Sequence, residues 1–203
     1  MPFHALLADG SSATITVAIE TTPGVRVTAA TPALDAVASR AVAAAARALE
    51  ARRLVPSVLG CRLAVDAAGE PDALGLPLLL AYAAHALGHA HGRALPIGVA
   101  AAGGVGGDAA DAPITAVDAL DGRAQAGTLA LTPGGTVVLP AAGAAALSPD
   151  VRQELDDRSL ALVRVATVDD AVATVARLLL GTETGATPAP RGVGAWLRSR
   201  FGR

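Results

Sequence analysis

The chain has 203 residues, enough for one domain or two small ones around a sizeable core. Hydrophobic residues make up 52 %, aromatics 2 % and charged residues 17 %, so the core material is mainly Ala, Val and Leu. All 16 basic residues are arginine, and the missing lysine excludes a Schiff base, a Ser–Lys dyad and a Walker-type phosphate loop, each of which needs that amine.

A net charge of −2 against 18 acidic residues gives no overall case for nucleic-acid binding. One cysteine, Cys61, excludes an internal disulfide framework and a multi-cysteine zinc site, and fits a reducing cytoplasm. The opening MPFHALLADG has neither a basic leader nor a long apolar run, so it does not read as a signal peptide. The longest apolar stretch, Ala73–Ala90, is interrupted by Gly75, Pro77, His85, Gly88 and His89 and reads as a buried helix rather than a membrane span. The chain reads as soluble and cytoplasmic.

In chain order, His4–Ala8, Ala13–Glu20 and Val25–Thr28 predict three strands of an antiparallel meander, with a turn at Thr22-Pro23-Gly24. Thr31-Pro32 opens a helix to about Arg53, threonine capping it and proline at its first position. Arg62–Asp66 predicts a short strand, Leu74–Gly88 a buried helix and Pro96–Ala102 another strand. Ile114–Val117 is a short strand, Asp121–Leu131 a helix and Thr136–Leu139 a strand of β-branched residues. Ser148-Pro149-Asp150 carries a cap, an N1 proline and an acid at the positive helix end. Leu160–Val165 is the last strand, and Thr167–Asp170 caps the last helix, which ends near Arg177 and Gly181. Residues 1–180 thus predict an α+β domain of mixed α/β layers. Residues 181–190 (GTETGATPAP) read as a linker and 191–203 (RGVGAWLRSRFGR) as a separate basic tail.

This order of elements resembles the Lon-type proteolytic domain, which has the ribosomal protein S5 domain 2-like fold. It is most similar to the N-terminal Lon-like domain of the magnesium-chelatase-like competence ATPases. The resemblance runs over residues 4–180: Ala5–Ala8, Asp9-Gly10, Ala13–Glu20 and Pro23-Gly24, then the helix Pro32–Arg53. It continues through Arg62–Asp66, the acidic loop Gly69–Asp72, Leu76-Pro77, Ile97-Gly98, Asp121–Leu131, Thr136–Pro140 and Leu160–Leu180. The family's catalytic residues do not carry over. Its serine position falls on Asp72, with no serine between Ser57 and Ser148, and its lysine position falls near Arg123. Arginine stays protonated at any relevant pH and cannot act as the general base. The resemblance therefore implies an inactive Lon-like domain acting as a protein-interaction or scaffolding module, needing no cofactor and prone to self-association. Asp72 and Arg123 are then candidates for an ion pair where the dyad would sit, beside the plain reading of both as surface or structural residues.

Other candidates stand beside this. His85, His89 and His91 hold three of the four histidines, and the i, i+4 pair sets two on one helix face, a metal-ligand geometry. A metal-dependent enzyme on the same fold, or a peptidase with a relocated nucleophile, are the alternative functions. The glycine-rich loop Gly103–Asp108 does not open a helix directly and reads as a hairpin-like turn rather than a phosphate cradle. Cys61 reads as a buried strand residue and Ser148 as a cap. In the tail, Val193, Trp196, Leu197 and Phe201 share one helical face beside Arg191, Arg198, Arg200 and Arg203. The rest of the chain has 12 arginines against 18 acids, a formal −6. The tail thus suits docking to a partner groove or an anionic surface through Arg191, Trp196, Leu197, Arg198, Arg200 and Phe201.

Overall fold

The computed structural model describes residues 3–20, 25–28, 31–55, 60–65 and 70–181. Among these, seven strands form one mixed sheet: β1 (Phe3–Leu6), β2 (Ser12–Glu20), β3 (Val25–Thr28), β4 (Gly60–Val65), β5 (Val99–Ala101), β8 (Thr136–Pro140) and β9 (Ala161–Val165). Two short strands, β6 (Gly104–Val105) and β7 (Ile114–Thr115), make a separate antiparallel pair. Six helices accompany them: α1 (Pro32–Ala51), α2 (Gly75–His91), α3 (Leu120–Ala130), α4 (Ala141–Ala144), α5 (Pro149–Asp157) and α6 (Val168–Leu180). The class is α+β.

The sheet order is β3-β4-β2-β1-β5-β8-β9. β2 runs antiparallel to both its neighbours, β1 and β4, and every other described pairing in this sheet is parallel. This corrects the predicted meander. β3 does not return against β2; β4 inserts between them and pairs β3 in parallel through Val25↔Cys61 to Thr28↔Ala64. Local signals place a strand but not its partner. The partner here is chosen by α1, which packs on β3 and carries the chain across to β4.

Helices cover both faces, because the inner strands alternate apolar residues both ways with the two-residue period of a strand. Phe3, Ala5, Val99, Ala101 and Val138 join the core under α1, α2 and α6. Leu6, Ala100, Ala102, Val137 and Leu139 join the other core, under α3 and α5. On the first face α2 is central, packed by α1, α6, β1 and β2. Its Leu76, Leu78, Leu79, Leu80 and Leu87 are fully buried. The 3-10 turn Pro71–Leu74 extends it, so the helical stretch Pro71–His91 is longer than the predicted Leu74–Gly88. By length and composition that stretch is apolar enough to cross a membrane, and 78 % of its apolar window is buried inside the protein. Its hydrophobicity is spent on the core.

Caps fall where the sequence places them. Thr31 accepts from the Leu34 N–H, and Ser148 from the Val151 N–H. Thr167 and Asp170 form a reciprocal capping box. Gly92 and Gly181 end α2 and α6 in the left-handed conformation.

Candidate functional site

The start of α2 is bound to the β6–β7 hairpin by its backbone. The Leu76 N–H donates to the Gly103 carbonyl at 2.8 Å, and the Gly103 N–H donates to the Ala73 carbonyl at 3.1 Å. Glycine is required at the contact: a Cβ on Gly75 would sit 2.8 Å from the Val105 backbone nitrogen. The glycine-rich loop thus begins a hairpin strand docked on a helix start, a docking that the expected hairpin-like turn did not include. Its far end is held to α1 by Arg47, which bonds both the Asp108 carbonyl and carboxylate at 2.7 Å.

Beside this junction lies a cavity of about 430 Å³ lined by Ala8, Glu70, Asp72, Ala73, Ala116, Val117, Asp118 and Arg123. A second cavity of about 310 Å³ shares Asp72 and Ala116 with it and adds Arg40, Gly104 and Thr115. Asp72 and Arg123, matched to the family dyad from sequence alone, therefore line one cavity. The candidate ion pair between them is corrected: the Arg123 guanidinium pairs with Glu70.

Arg123 is 1 % exposed, an unusual placement for an arginine. Three contacts replace its water. Nε donates to the Asp118 carbonyl at 2.8 Å, Nη1 to the Leu6 carbonyl at 2.7 Å, and Nη2 to Glu70 Oε2. The guanidinium thereby joins α3, the end of β1 and the loop before α2. Ala119 precedes α3 with φ 55°, a strained conformation for a residue with a Cβ. That bend sets the Asp118 carbonyl against Arg123.

Sequence reasoning missed Glu70 as the partner. Its signal was present: Glu70 lies in the quoted acidic loop, two residues before Asp72, and Arg123 is embedded among Gly122, Ala124 and Ala126 on a helix with little other charge. The two carbonyl acceptors had no sequence signal, since any residue supplies one.

At the other end of α2, His85 and His89 line a hollow of about 280 Å³ with Phe3, Ala84, Gly88, Arg93, Ala94 and Leu95. His85 Nδ1 faces the Ala81 carbonyl at 3.0 Å, so it must carry the ring proton. Burial holds its pKa below the ordinary 6.5, opposed by that backbone bond and reinforced by the positive charge of the amino terminus. His91 turns elsewhere, its Nε2 3.1 Å from the Leu54 carbonyl. Among the described residues no group of three His, Cys, Asp or Glu side chains converges to hold a metal ion. The histidine triplet is split between a hollow and a loop contact.

Cys61 is buried in β4, and Ser148 caps α5, as their bland readings require. The tail residues Arg191, Trp196, Leu197, Arg198, Arg200 and Phe201 lie outside the described residues.

Together these features define a three-layer α+β protein with an arginine-centred polar cavity at one end of its central helix and an apolar, histidine-lined hollow at the other. Set against models of known protein families and against characterised proteins, the chain gives no significant match.

Proposed function

We propose that this chain is a non-catalytic domain of the Lon-type kind, a cytoplasmic interaction or scaffolding module that associates with itself or a protein partner. The observation that carries this reading is Arg123. Where the resemblance assigns a lysine base stands a buried guanidinium that stays protonated and is engaged by Glu70, Leu6 and Asp118. Where it assigns the nucleophile stands Asp72, and among the described residues no serine or cysteine lines the cavity. Neither position carries the hydroxyl or the amine that a Ser–Lys mechanism needs. What the cavity offers is a fixed polar surface flanked by the exposed Thr115 and Ala116. Segment 191–203 adds a basic amphipathic face for a partner.

Turnover of fluorogenic peptides and unfolded casein, with fluorophosphonate labelling, tests the reading. The expected result is no turnover above the blank, no labelling, and no change in Asp72→Ala. Light scattering of the purified chain is expected to give a mass above the 19.9 kDa of one copy. Turnover that disappears in Asp72→Ala would replace the binding module with an enzyme.

A further inference from the structure

The hollow at the C-terminal end of α2 combines an apolar floor, one unspent acceptor and no acid. Phe3, Ala84 and Leu95 form the floor, all under 10 % exposed, while His89 and Arg93 stand at an exposed rim. At about 280 Å³ it lies just below the size of drug-sized ligand sites, which limits an occupant to one or two rings. The walls suit a flat occupant. His85 is tilted 52° to Phe3 with ring centroids 6.2 Å apart, and the rim guanidinium of Arg93 offers a cation to a π face. Since the Nδ1 proton of His85 is committed to the Ala81 carbonyl, the neutral ring has Nε2 left as an acceptor, and nothing among the described residues donates to it.

Charge at the rim selects against ions of either sign. Arg93 repels a cation, and no Asp or Glu lines the hollow to offset it; the sequence from Ala73 to Gly107 has neither. An anion is opposed from the other side. Both α2 and α6 end at this rim, each with the partial negative charge of a helix C-terminus. Arg93 is already turned to both ends: its backbone N–H donates to the Gly88 carbonyl at 3.0 Å and its Nη1 to the Leu180 carbonyl at 3.4 Å. A carboxylate would also meet the lone pair of His85 Nε2. The complement is a neutral, flat, apolar molecule with one donor.

We infer that the hollow lined by Phe3, His85, Leu95 and Arg93 is a binding site for a small neutral aromatic molecule bearing one N–H or O–H, of the indole or phenol class. Its donor bonds His85 Nε2 and its ring covers the apolar floor. The inference goes beyond the non-catalytic reading and does not depend on it.

Indole is the probe, titrated into the full chain by calorimetry, with N-methylindole as its twin without the donor. Indole is expected to bind with a dissociation constant on the order of 0.1–1 mM, and N-methylindole about tenfold more weakly, the factor one hydrogen bond is worth. The chain has four histidines, so nitrogen NMR resolves their imidazoles, and His85→Phe assigns the His85 signals by their loss. The His85 Nε2 resonance is expected to shift as indole is added. His85→Phe keeps a ring against Phe3 and is expected to bind the two indoles equally. Should that variant fail to fold, the comparison of the two ligands on the native chain decides alone. No heat from indole up to its solubility would overturn the inference, as would equal affinity of both indoles for the native chain or an unmoved His85 Nε2. Tighter binding of indoleacetate or tryptamine than of indole would also overturn it, making the hollow a site for a charged ligand. None of these readouts is turnover or self-association, so this inference and the non-catalytic reading fail separately.

Discussion

The two ends of α2 solve opposite problems with the same material. The N-terminal end brings a charge into the protein and holds it by three bonds: Arg123 donates to Glu70, Asp118 and Leu6. The C-terminal end keeps His89 and Arg93 at the surface and leaves an apolar hollow beneath them. A polar knot of this kind holds elements together, and a newcomer that takes its acceptors must displace bonds already made. An apolar hollow with one unspent acceptor has the reverse character, gaining from whatever covers it. The first end therefore reads as architecture and the second as a place for an occupant.

The largest expected effect comes from cutting the knot. Arg123→Ala leaves the Leu6 and Asp118 carbonyls without their donor and opens a gap in the second core. The Leu6 acceptor is buried and the Asp118 one part-buried; at about 1–3 kcal/mol for the first, less for the second, and the packing lost with the side chain, the loss is on the order of 3 kcal/mol. At roughly 2–4 °C per kcal/mol for a chain of this size, thermal unfolding should fall by about 6–12 °C. A loss under about 1 kcal/mol would mean the knot is not what joins α3 to β1.

Gly75→Ala tests the neighbouring joint. Its Cβ would meet the Val105 backbone nitrogen at 2.8 Å, and backbone cannot rotate aside as a side chain can. Overpacking of this kind costs about 1–3 kcal/mol, measured by denaturant unfolding. Gly122→Ala, with open space around its Cβ on an adjacent element, should be neutral or slightly stabilising by helix propensity.

Glu70→Gln should cost less than either. The Glu70 side chain is 57 % exposed, so water and salt screen its charge, and glutamine retains an acceptor for Nη2. A loss of about 1 kcal/mol or less is expected, shrinking further at high salt. The contrast with Arg123→Ala measures how much of the knot is carried by the two backbone carbonyls.

These residues also show what could be read in advance. The α+β class and the caps at Thr31, Ser148 and Thr167 were legible because each depends on local sequence, whereas the docking of the hairpin after Gly103 on the start of α2 was not. The insertion of β4 between β2 and β3 was not, since strand pairing is decided by helices far away in sequence. At the cavity, the loop holding Asp72 and the helix holding Arg123 were brought together as expected. The partner shifted to Glu70, because a one-turn segment can direct either of two acids inward and only packing chooses. The hollow was invisible for the same reason: Phe3, His85 and Leu95 come from a strand, a helix and a loop, with no spacing to relate them.

The smallest expected effect probes the other end of α2 and has a definite sign. His85 has a folded-state pKa below its ordinary 6.5, chiefly through burial. The unfolded chain therefore binds the His85 proton more readily than the folded one. By linkage, stability is complete above about pH 6.5 and declines as pH falls through that value toward the folded pKa, below which the loss is constant. The positive amino terminus acts in the same direction, and the bond to the Ala81 carbonyl, which opposes it, is outweighed by burial. Asp9, whose pKa is lowered by its bonds from Ser11, loses its contribution only in the acid range below 3.8, a separate window. Unfolding free energy measured from about pH 8 to pH 5 should decline for the native chain and flatten in His85→Gln. An identical decline in both would place the titration elsewhere and remove the ground for treating His85 as a neutral acceptor in the hollow.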